Sequence, residues 1–121
     1  GMNATIKKIK ILNIDINFPK ELDHVVDIEV KCEAKILKPR DKEDKHALLQ
    51  TKISMKANNV EDFSINLLAQ VLFEFDKIPE NYDSMAEEKC IPLAIKEILT
   101  KVDSILENMG CARMKLAEQL V

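Results

Sequence analysis

Two glycines in 121 residues leave no room for a glycine-rich loop that cradles a phosphate. Tryptophan is absent, and the aromatics are four phenylalanines and one tyrosine. None is interleaved with basic residues in the way that stacks single-stranded nucleic acid. A net charge of −3 also argues against non-specific nucleic-acid binding, while permitting a basic partner. The three cysteines are an odd number without CxxC spacing, so reduced thiols in a cytoplasmic protein are the simplest account. No apolar run approaches the ~20 residues of a spanning helix, so no membrane insertion is expected. Gly1-Met2 reads as a cleavage scar followed by the native start, with no signal peptide after it.

Candidate chemistry is thin. His24 and His46 flank strand-like runs in charged, turn-like surroundings, with no Cys or Asp at metal-ligand spacing. Both read as solvated surface histidines. Cys90 precedes a helix, and a helix N-terminus can lower a thiol pKa, which makes it the candidate for reactivity. With no base in view, a packed thiol is the preferred reading. Glu87-Glu88 and Glu43-Asp44 are carboxylate pairs of the kind that 32% charged residues supply by chance. No catalytic residue, metal site or cofactor is indicated, and the chain reads as a non-enzymatic surface.

What is present is hydrophobic patterning. One domain is the expectation at this length. The first run, Thr5 to Phe18, changes phase. Ile9 and Ile11 share one side; Leu12, Ile14, Ile16 and Phe18 share the other. This predicts a bulge near Ile11-Leu12, or else two short strands. Lys7, Lys8 and Lys10 suit a sheet edge. Phe18 to Asp23 reads as a turn or crossover. From His24 to Leu37 the alternation is clean, with Val26, Ile28, Val30, Cys32, Ala34 and Ile36 inward and a charged wet face. Lys38 to Lys45 is a solvated hairpin loop. Ala47 to Ala57 is a third strand with Leu49, Thr51, Ile53 and Met55 inward, and Asn58-Asn59 supplies the next turn.

The fourth run, Phe63 to Asp76, differs in kind. Phe63, Ile65, Leu67, Ala69, Val71, Phe73 and Phe75 form one apolar side. Ser64, Asn66, Gln70 and Glu74 occupy the other, but so do Leu68 and Leu72. A strand apolar on both sides has both sides partly covered, and one small helix covers only one. Leu68 and Leu72 are therefore the candidate client- or assembly-binding residues, and self-association is expected.

Ser84-Met85-Ala86-Glu87 has the form of a capping box. Ile91, Ile95, Ile98, Leu99, Val102, Ile105, Leu106 and Met109 then recur at helical spacing, and Gly110 stands where a left-handed cap belongs. Pro92 either kinks this helix or begins a new one. Cys111 to Val121 reads as a second small helix. Met85, Met109 and Met114 fit an ordinary core more readily than an adaptable binding surface.

The second half resembles the preprotein-translocation chaperone SecB and its relatives. Phe63 to Asp76 is similar to that family's last strand, which ends in a Phe-rich segment. Lys89-Cys90-Ile91-Pro92-Leu93 is similar to the start of its main helix, and Ile95 to Leu99 to the continuation. The family's arginine after the helix proline has no clear equivalent unless Lys96 serves, and its Pro-rich segment after the helix is missing. The resemblance implies an α+β fold: a four-stranded antiparallel sheet with a long kinked helix and a short C-terminal helix on one face. It further implies a homo-oligomer, a dimer or tetramer, that holds unfolded chains in apolar grooves without ATP. Relatives that dock the SecA motor present an acidic sheet surface. Here Lys31 and Lys35 stand beside Asp27, Glu29 and Glu33, so SecA docking is doubtful. A chaperone dedicated to one partner, or a toxin–antitoxin companion, fits better. The alternative is a structural assembly protein whose apolar faces form only its own oligomer.

Overall fold

The computed structural model describes residues 2–19, 26–111 and 114–120. His24 and much of the expected turn after Phe18 lie outside them. Four strands form one antiparallel sheet: β1 (Ala4–Asn17), β2 (Ile28–Leu37), β3 (His46–Ala57) and β4 (Ser64–Phe75). Their spatial order is β1-β4-β3-β2. The last three form a meander and the first returns beside the fourth, which is Greek-key connectivity. β1 is an edge strand, as its lysines suggested.

β1 carries two register irregularities against β4, one between Ile6 and Lys8 and one between Ile11 and Asn13. The second is the bulge expected at Ile11-Leu12; the first, at Lys7, has no comparable phase signal. Each extra residue resets the alternation, so Ile6, Ile9, Ile11, Ile14 and Ile16 all join the helix-side core. Leu12 does not share the phase of Ile14 and Ile16. As the bulged residue it is 49% exposed.

The turn before β4 also differs from expectation. The left-handed residue is Asp62, with φ 64°, and not Asn58 or Asn59. The asparagines act instead through hydrogen bonds to the start of the β2 segment. The Asp27 N–H donates to Asn59 Oδ1 at 2.8 Å, and the Asn58 N–H donates to the Asp27 carbonyl at 2.8 Å.

The helical layer begins at α1 (Tyr82–Met85). Its cap is Asn81, whose Oδ1 accepts from the Ser84 N–H at 3.0 Å. Ser84 thus lies inside the first turn and is not the cap. Asparagine is as good a cap as serine and was available three residues earlier. A π-helical segment (Ala86–Cys90) follows and leads into α2 (Ile91–Asn108). The Ile91 N–H reaches the Ala86 carbonyl, an i to i−5 bond. Pro92 has no N–H for the Glu88 carbonyl, and the wider turn ahead of it accommodates the proline ring. The interruption at Pro92 is therefore a π bulge ending in a proline at the start of α2.

α2 closes in a Schellman motif. Gly110 has φ +78°, its N–H meets the Glu107 carbonyl, and the Cys111 N–H meets the Leu106 carbonyl. The chain then folds back into a 3-10 turn (Leu116–Leu120) where a second helix was expected. Asp103 of α2 caps it, accepting from the N–H groups of Leu116 at 2.9 Å and Ala117 at 3.3 Å. Leu116 is buried beneath it.

The core lies between α2 and the two central strands. Cys90, Ala94, Ile98, Leu99, Val102 and Leu106 face Leu49, Ile53, Ile65, Val71 and Phe73, and all are essentially inaccessible. Each large apolar side chain removed from water contributes about 1.5–3 kcal/mol before entropy is counted. The one buried polar side chain among the described residues, Thr51, donates to the Ala69 carbonyl at 3.1 Å. The helix is about 10 Å wide and the four strands span about 14 Å, so the edges remain incompletely covered. Val30, Cys32 and Ile36 of β2 are only half-buried, and Ala34 is exposed despite its inward phase.

Candidate polypeptide-binding face

The strand registers map the sheet face away from the helix row by row. Lys8, Leu72, Leu48 and Leu37 stand side by side across all four strands. The next row holds Lys10, Gln70, Gln50 and Lys35. The third holds Asn13, Leu68, Lys52 and Glu33, with the bulged Leu12 next to Asn13. Residues directly opposite in an antiparallel pair have their Cβ atoms about 5 Å apart, so Leu37, Leu48 and Leu72 form a continuous apolar strip. Leu68 is 45% exposed and Leu72 half-buried. Leu12 and Leu68 flank an open depression of about 470 Å³, whose charged lining is Lys35, Lys52 and Glu33. The C-terminal turn packs against α2, on the opposite side of the sheet from both leucines.

Sequence reasoning singled out two residues of this face and missed three. Leu12 was hidden by the bulge. Leu37 and Leu48 each look like an isolated break in alternation, and only the register aligns them with Leu72.

The other sites of possible chemistry are quiet. Cys90 is fully buried in the π-helical segment, and that burial pushes its thiol up to about 11. It is a packed thiol, since little thiolate exists at neutral pH. Met85 is buried, whereas Met109 is 56% exposed beside the helix end. No group of three or more potential metal ligands occurs among the described residues. None of their helices is long and apolar enough to cross a membrane.

His46 is not simply solvated. Its Nδ1 lies 2.7 Å from Asp44 Oδ1 and its Nε2 lies 2.9 Å from Glu74 Oε2, tying the β2–β3 loop to β4. The hydrogen bond to Asp44, reinforced by Glu74, holds the imidazole above its usual pKa and holds Asp44 below the usual carboxylate range. A raised imidazole pKa contributes stability fully below about pH 6.5, where the unfolded histidine is also protonated, and that contribution fades as pH rises through the folded value. The thermal midpoint of the wild type should therefore fall on going from pH 6 to pH 8 more than that of His46→Gln. Superimposable pH profiles would remove the bridge from the stability of the fold.

The Greek-key sheet, the single interrupted helix laid over it and the short C-terminal turn define an α+β fold of the SecB-like type. Among solved structures, the chain is similar to the Mycobacterium tuberculosis SecB-like chaperone Rv1957 in complex with a ChAD peptide from the antitoxin HigA1 (Rv1956). The TM-score is 0.67 over 93% of this chain and 85% of that one, with 12% sequence identity. No protein-family model matches the chain, and no curated protein does. The likeness is one of fold.

Proposed function

We propose that residues 2–121 form one SecB-like domain that holds unfolded or disordered polypeptide against its apolar surface without ATP, in protein export or for one dedicated partner. One observation carries this reading: on the side of the SecB-like sheet away from its helix stands a cluster of five leucines, of which Leu12 and Leu68 are exposed and Leu37, Leu48 and Leu72 are half-buried. Binding is burial of client apolar side chains against Leu68 and Leu72, with main-chain hydrogen bonds at the sheet edges as a second contribution. The neighbouring chaperone's peptide comes from an antitoxin, which favours the dedicated-partner form. The cytoplasm is the compartment suited to the three free thiols.

The test is light scattering from a chemically denatured model protein diluted into buffer with and without this chain. Suppression at a few-fold molar excess, unchanged by ATP, is the expected result. Identical curves, together with no partner captured by the chain from its host's extract, would contradict the reading.

A second reading has its own support. The β1 and β2 edges pair with no further strand among the described residues, and the isoleucines of β1 are only half-buried. Both features suit a homo-oligomer, a dimer or tetramer, in which helices and edges of several copies complete one another's cores. If sedimentation shows an oligomer and no client binding accompanies it, the apolar surface serves assembly alone.

A further inference from the structure

Charge around the leucine cluster is not balanced. In the two rows that contain the leucines and the row between them, the charged residues are Lys8, Lys10, Lys35, Lys52 and Glu33, all exposed. Among the described residues no carboxylate lies within salt-bridge distance of any of these four lysines, although Glu33 stands directly opposite Lys52 in the register. Further along the same face the signs are mixed. Lys31 shares a row with Asp15, and Lys56 pairs with Glu29 at 3.5 Å. The chain as a whole is net −3, so a basic surround at this one place is a matter of position and not of composition.

We propose that this face docks an acidic polypeptide segment whose apolar residues stand about four positions apart. The inference rests on the polypeptide-holding reading above and names the chemistry of what is held. Leu72 and Leu68 are four residues apart on one strand, roughly 13 Å along it, so an extended segment places apolar side chains over both. The row between them carries Lys10 and Lys35 at the two flanks, where carboxylates of the same segment sit. Gln50 and Gln70 lie directly opposite each other in that row, and their amides offer a donor and an acceptor each to a passing main chain. A basic segment gains the same apolar burial but meets four like charges. Exposed pairs are individually weak, and several acting together shift affinity by on the order of tenfold.

The experiment uses the intact chain and three fluorescein-labelled peptides of about a dozen residues. Each has leucines four apart, separated by glutamates, glutamines or lysines. Fluorescence anisotropy should show the glutamate peptide bound about tenfold tighter than the lysine peptide, with the difference shrinking as salt is raised. Lys35→Glu combined with Lys52→Glu should reverse the preference, with circular dichroism confirming the fold. Equal affinity for all three peptides overturns the acidic preference while leaving polypeptide holding intact. Binding of none of the three, with suppression of aggregation also absent, overturns both. If Leu68→Asp instead converts a sedimenting dimer to monomer and no peptide binds, the occupant is a second copy of this chain and the proposal fails.

Discussion

Phe73→Ala is expected to destabilise the fold by ~3–5 kcal/mol, the usual cost of emptying a buried aromatic site. Phe73 is fully inaccessible near the C-terminal end of β4, between Ile6 of β1 and Ala47 of β3 and beneath the helical layer. Its neighbours are strands on both sides, so the surroundings collapse poorly into the vacated space. A loss of that size is a large share of the 5–15 kcal/mol that a domain of this kind has in total. Urea unfolding followed by circular dichroism measures it: the midpoint should fall steeply with the slope unchanged. A drop of less than about 1 kcal/mol would mean that the helix does not seal this side of the sheet.

Leu68→Asp and Leu72→Asp should do the reverse, leaving the fold and removing the binding. Leu68 is 45% exposed and sits between Asn13 and Lys52, neighbours that tolerate a carboxylate. Leu72 is half-buried beside Leu48, so its substitution should cost somewhat more stability than that of Leu68. In a complex the new carboxylate has to be desolvated against apolar side chains, which disfavours contact strongly. Client affinity should fall at least tenfold, equivalent to about 1.4 kcal/mol or more. Thermal melts decide between the possibilities. If either variant unfolds as readily as Phe73→Ala, these leucines belong to the core and the two faces have been exchanged.

The residues that made the fold legible are those with strict periodicity. Leu49, Thr51, Ile53 and Met55 in β3, and Ile65, Leu67, Ala69, Val71, Phe73 and Phe75 in β4, recur at every second position and lie on the inner face as expected. The helix stripe and the Gly110 cap are equally direct, because a positive φ favours glycine there. Where periodicity breaks, sequence reasoning lost its footing. A single bulge at Leu12 was visible as a phase change. Two bulges, at Lys7 and Leu12, leave an isoleucine spacing of three, two, three, two that imitates no single element. The helix start was misplaced because Asn81 and Ser84 both carry capping side chains, and only the geometry shows which of them accepts. The binding face was half legible. Leu68 and Leu72 stand out on their own strand, but the strip they form with Leu37 and Leu48 depends on register between strands, which hydrophobic pattern alone does not determine. The same register brings Lys8, Lys10, Lys35 and Lys52 onto one face from three different strands.

Methyl resonances report most directly on where a held polypeptide lies. With leucine and isoleucine methyl groups labelled, an unfolded client is added and the shifts are followed residue by residue. Leu12, Leu37, Leu48, Leu68 and Leu72 on the outer face should move together, while the buried Leu49, Leu67, Leu99 and Leu106 stay in place. Movement confined to the half-buried Ile9, Ile11 and Ile36 on the helix side, with the outer leucines unchanged, would contradict the assignment of the face.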